Sequence, residues 1–137
     1  MKQLTKITLL AFSIFIFSQC SKNDIEDTIE ATIIGRWKIE GFDNIQYEFT
    51  SNKRYDIYST GNTEFPTLQE FLQLNPNIPG LDWYYEGNVV VVDLNFGNFS
   101  KLTPIYKCNS NVIDWMNTDN TLHSTFYKVN YDLSSCN

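Results

Sequence analysis

From Ile34 onward the apolar residues recur at every second position rather than every third or fourth. Trp37 and Ile39 alternate with Arg36, Lys38 and Glu40, and Ile45, Tyr47 and Phe49 alternate with Gln46 and Glu48. Leu81, Trp83 and Tyr85 share one face of a later run, while Val90, Val92, Leu94 and Phe96 share one face of the longest. Near the C-terminus Tyr127, Val129 and Tyr131 alternate with Lys128, Asn130 and Asp132. Period two with one apolar and one polar face is the pattern of antiparallel strands half exposed to water.

Turn-forming clusters separate these runs: Asp43-Asn44, Ser51-Asn52, Gly87-Asn88, Gly97-Asn98, Asn109-Ser110-Asn111 and Asn117-Thr118-Asp119-Asn120. Together they predict eight strands, at about 35–41, 44–50, 53–59, 82–87, 89–96, 101–108, 111–117 and 123–131. Connections this short imply a meander of neighbouring hairpins. A meander of this size closes most simply into a small antiparallel up-and-down β-barrel, which leaves no exposed edge. The expected fold class is therefore all-β.

Residues 60–80 break the alternation. They hold Pro66, Pro76 and Pro79, and Thr67 and Glu70 stand at capping-box spacing before Phe71, Leu72 and Leu74. The spacing predicts one short helix over 67–74. An insertion of this length has two expected roles: a lid over one mouth, or a plug burying Leu68, Phe71 and Leu72 on the core.

The N-terminus reads differently. Lys2 and Lys6 precede an apolar stretch from Ile7 to Phe17, too short for a bilayer span of about 20 residues but suited to a secretory signal. It ends at Phe17-Ser18-Gln19-Cys20, which resembles the lipobox of bacterial lipoproteins. That resemblance implies a signal peptide over 1–19, lipidation of Cys20, and an outer-membrane lipoprotein of the cell envelope, facing the periplasm or the surface. Without it, the same stretch is an ordinary signal peptide that leaves Cys20 a free thiol. The charged segment 20–31 lacks aromatics and has the composition of a tether. The folded domain is then 32–137.

Charge excludes one class. The chain carries a formal charge of −6, and loss of Lys2 and Lys6 with the signal takes it to −8. Nucleic-acid binders show basic patches, so no nucleic-acid partner is expected. The membrane is expected to hold the protein through acyl chains, since an acidic body is not drawn to anionic lipid.

With Cys20 assigned to lipid, Cys108 and Cys136 remain as an even pair in an oxidising compartment. A disulfide between them would pin the C-terminal tail; two buried free thiols are the alternative.

Ile34-Gly35-Arg36-Trp37 opens the body with a Gly-x-Trp on the first strand. This resembles the lipocalin signature, and is closer to the short lipocalin-like domains of bacterial lipoproteins. The Tyr47-Glu48-Phe49 run, the hairpin from Trp83 to Asn88, and Lys107-Cys108 with Trp115 are similar in style. The resemblance implies that Trp37, beside Gly35, plugs the closed end of the barrel beneath a basic residue of the last strand, here Lys128. It also implies a small hydrophobic ligand in the other mouth.

Chemistry beyond binding finds little foothold. His123 is the single histidine, Cys108 and Cys136 lack metal or redox spacing, and no Gly-x-Ser-x-Gly elbow is present. No enzyme activity, metal or cofactor is expected. Aromatic residues are the better candidates: Tyr47, Tyr55, Trp83, Tyr85 and Tyr127 are expected to line an interior that takes an apolar ligand. The same side chains would equally fill a ligand-free core. The alternative function is an accessory binding protein or hydrolase inhibitor, using its outer face and the 60–85 loop to hold a protein or glycan. A cavity above roughly 300 Å³ favours the ligand carrier; a filled core with an exposed aromatic patch favours the alternative.

Overall fold

The computed structural model describes residues 31–59 and 64–136. The expected signal peptide and Cys20, with the tether up to residue 30, lie outside the described residues.

Eight strands follow in chain order: β1 (Gly35–Ile39), β2 (Phe42–Phe49), β3 (Lys53–Tyr58), β4 (Leu81–Glu86), β5 (Val89–Asp93), β6 (Phe99–Lys107), β7 (Val112–Met116) and β8 (Leu122–Lys128). Each pairs antiparallel with its sequence neighbour, and β8 returns to β1 to close the barrel. This is the all-β up-and-down barrel that the alternation predicts. Odd-numbered strands run toward one end and even-numbered strands return. The turns after β2, β4 and β6 and the start of β1 therefore share a closed end, and the longer connections share the open one.

One alternation is cut short. The expected strand over 89–96 ends at Asp93, because Asn95, Phe96 and Gly97 all take positive φ. A compact loop forms there instead: Asn95 N–H donates to Asp93 Oδ1 at 2.7 Å, and Leu94 N–H to the Asn98 carbonyl at 2.9 Å.

The core occupies the closed half of the barrel and the walls above it. Trp37, Ile39, Phe49, Trp83, Val90, Val92, Ile113, Trp115 and Phe126 pack inward, with Ile33 closing the bottom. Trp37 is fully buried, and its indole N–H donates to the Ile33 carbonyl at 2.7 Å. Lys128 lies over its ring, 3.9 Å from the centroid, and donates to the Ile34 carbonyl at 3.1 Å. Gly35 has φ +120°, and a Cβ there would stand 2.8 Å from Lys128 Nζ. That backbone angle favours glycine, and a Cβ there would also push the ammonium aside.

The helix α1 (Leu68–Leu74) carries the expected capping box: Thr67 Oγ1 accepts from Glu70 N–H, and Glu70 Oε2 accepts from Thr67 N–H at 2.8 Å. Its role differs from both expectations. The segment 64–80 is neither a lid nor an interior plug; it packs on the outer wall of β1–β3. Arg36, which points outward, donates to the Pro66 carbonyl at 2.6 Å. Gly80 presses on outward-facing Tyr55, where a Cβ would meet the ring at 2.7 Å. Beneath this cover the outer-face residues Ile57 and Gln46 are buried, as is Phe71 of the helix, while Leu68 and Leu72 are only partly so.

A second cover lies on β7 and β8. A disulfide joins Cys108 to Cys136, with Cα atoms 5.6 Å apart, and a short 3-10 turn at Leu133–Ser135 precedes the second cysteine. Leu133 and Cys136 border the same outer groove as Val112, which is buried.

Candidate functional site

A cavity of about 510 Å³ occupies the open half of the barrel. Val90, Val92 and Leu102 form one wall and Ile45, Tyr47 and Phe126 the other. Half-exposed Phe42 and Tyr58 stand at its rim.

Aromatic contacts fix the cavity's shape. Tyr47 stacks on Phe126 at 5.2 Å between centroids, and Phe126 meets Trp115 edge-on at 5.7 Å. Phe49 lies beneath, 6.3 Å from Trp115 and 5.8 Å from Trp83. Offset and edge-to-face pairs of this kind hold rings in place by roughly 0.5–1.5 kcal/mol each beyond their burial.

One charged side chain lines the cavity among the described residues. Arg54 projects inward from β3, because Phe49 and Tyr47 across the pair face inward and register places Arg54 opposite Phe49. Its guanidinium sits 4.7 Å from the centroid of the Tyr47 ring. Nε and Nη2 donate to the two oxygens of Asp56 at 2.9 and 3.0 Å. Burial raises the Tyr47 hydroxyl above the ordinary phenol value; the Asp56 carboxylate adds to this and Arg54 opposes it. The Trp115 indole N–H is buried away from the cavity and has no acceptor among the described residues.

His123 and Ser124 also border the cavity, with His123 Nδ1 3.0 Å from Ser124 Oγ. Among the described residues no three His, Cys, Asp or Glu side chains cluster as a metal site.

Of the five expected ligand-contact residues, Tyr47 alone lines this cavity. Tyr55 points outward beneath Gly80, because β3 turns Arg54, Asp56 and Tyr58 to the interior. Tyr127 also points outward, since its neighbours Phe126 and Lys128 take the inward positions. Trp83 belongs to the core below the cavity, where its indole N–H donates to the Thr50 carbonyl at 3.0 Å. Tyr85 stands further toward the closed end, its hydroxyl 3.3 Å from that of Tyr106. Burial and that contact raise the Tyr106 hydroxyl well above the ordinary phenol value.

The residues missed are Arg54, Phe126 and Trp115. Arg54-Tyr55-Asp56-Ile57-Tyr58 does alternate, but its polar members are the inward ones. An apolar outer face requires a cover, and the adjacent 64–80 segment was the available signal. The fold and site together define a closed eight-stranded barrel with an apolar, open-ended cavity and one internal ion pair. No family model, no curated protein and no solved structure matches the chain.

Proposed function

We propose that this protein is a lipid-anchored, lipocalin-like binding protein of the cell envelope that holds a small hydrophobic molecule in the open half of its barrel. The observation that carries this reading is the cavity itself: about 510 Å³, framed by aromatic and aliphatic side chains. That volume falls in the range of small-molecule sites and exceeds the roughly 300 Å³ at its lower end. A barrel of eight strands can be filled by its own side chains, and here the upper half is not. Trp37 packed beneath Lys128 supports the lipocalin-like part of the reading.

The alternative, a protein or glycan partner bound through the outer face and the 60–85 loop, draws on exposed Leu74, Ile78 and Tyr84. The unfilled core favours the ligand carrier over it.

The test is a titration of the mature protein with 1-aminoanthracene, a neutral fluorescent ring system. Saturable one-site binding, lost when Leu102→Trp fills the cavity, supports the proposal. Identical non-saturating signals from both proteins contradict it. Membrane anchoring is tested separately: Cys20→Ala is expected to move the protein from the membrane fraction to the soluble one, and continued retention contradicts lipidation.

A further inference from the structure

We infer that the ligand is amphipathic and carries a carboxylate head, which the cavity receives at Arg54. This inference rests on the hydrophobic-ligand reading and narrows it to one chemical class.

Two observations point the same way. First, Arg54 is the one charged residue lining an otherwise mainly apolar space, among the described residues. A guanidinium taken into such surroundings is costly unless its donors are matched. Second, the group is held in advance. Asp56 grips Nε and Nη2, and the Tyr47 ring, itself stacked on Phe126, supports the guanidinium face. This leaves Nη1 making no hydrogen bond among the described residues, on the side chain that borders the cavity. A planar guanidinium offers five donors, so one carboxylate does not exhaust it.

Asp56, the nearby acceptor, has both oxygens occupied by Arg54 and does not itself border the cavity. An unused guanidinium donor beside an apolar space calls for a ligand with an apolar body and an acceptor oxygen. A carboxylate answers a guanidinium best, because the hydrogen bond is charge-assisted.

The experiment compares dodecanoate with 1-dodecanol, each displacing 1-aminoanthracene from the mature protein below its micellar concentration. Wild-type protein is expected to bind dodecanoate about tenfold more tightly, the difference between a charge-assisted and a neutral hydrogen bond. Arg54→Gln is expected to bring the two affinities within about twofold of each other. Because that change leaves Asp56 unpaired, the double variant Arg54→Gln with Asp56→Asn is measured beside it and is expected to lose the preference equally. Equal binding of the two ligands by wild type overturns the inference, as does a preference that survives both variants. If the probe binds and only dodecanol displaces it, the hydrophobic-ligand reading stands and the carboxylate falls. If neither the probe nor either ligand binds, the hydrophobic-ligand reading falls and takes this inference with it.

Discussion

Trp37 and Lys128 are register partners across the seam where the last strand closes onto the first, and the Lys128 ammonium rests 3.9 Å from the centroid of the Trp37 ring. The pair couples barrel closure to burial of the largest side chain at the closed end. Trp37→Ala removes a fully buried indole and leaves a cavity, at an expected cost of about 3–5 kcal/mol. Lys128→Ala removes the cation over the ring and its bond to the Ile34 carbonyl, at an expected cost of about 1–2 kcal/mol. Urea denaturation of both variants checks this; a loss under 1 kcal/mol for Trp37→Ala would show that the closed end does not depend on it.

Phe96 presents the opposite situation. It is fully exposed and takes φ +56° in the loop between β5 and β6. A side chain in the left-handed region costs about 1–2 kcal/mol and here no burial offsets it. Phe96→Gly is therefore expected to raise stability by about 1 kcal/mol, measured by thermal melting. A lower melting temperature would mean that the ring makes a stabilising contact in solution.

The disulfide anchors the C-terminal tail beside buried Val112. Replacing Cys108 and Cys136 with serine is expected to cost about 2–5 kcal/mol. Hydrogen exchange should quicken at Leu133–Cys136 in the same variant. Unchanged denaturation midpoints would contradict the assigned role.

The helix cap carries a pH signature. Two hydrogen bonds from Thr67, one from its N–H and one from its hydroxyl, hold the Glu70 carboxyl below its ordinary value of 4.5. A carboxyl lowered in the folded state contributes stability that is present above the unfolded value and is lost as pH falls through the folded one. NMR titration of Glu70 is expected to show a midpoint below 4.5, moving upward in Thr67→Ala. That variant should also weaken the helix by about 0.5–2 kcal/mol. A Glu70 midpoint unaffected by the substitution would leave the Thr67 backbone N–H as its cause and remove the hydroxyl.

Sequence and structure agree best where local physics decides. The eight strands and the helix with its Thr67 cap follow from period-two alternation, turn residues and cap spacing, which need no tertiary knowledge. The exception was Val90 to Phe96, where alternation continues on paper but the backbone of Asn95, Phe96 and Gly97 turns it into a loop. Sidedness was far less legible. Alternation defines two faces and does not say which is inside when both can be covered. On β3 the 64–80 segment shelters Ile57 and Tyr55, so Arg54 and Asp56 turn inward and form an ion pair there. On β8 Phe126 packs in the core and Lys128 lies over Trp37, so both take the inward face and Tyr127 points out. The cavity's charge was therefore hidden by a cover only the fold supplies.

The most direct test of a ligand-holding barrel is native mass spectrometry of the mature protein purified from its own envelope, run beside the Leu102→Trp variant. The variant projects an indole into the space bordered by Val92, Phe126 and Leu102 itself, and a retained native circular dichroism spectrum confirms that it folds. A reproducible small-molecule mass is expected on the wild-type protein and is expected to be missing from the variant. A wild-type protein that emerges empty, or an adduct carried equally by both, would contradict it.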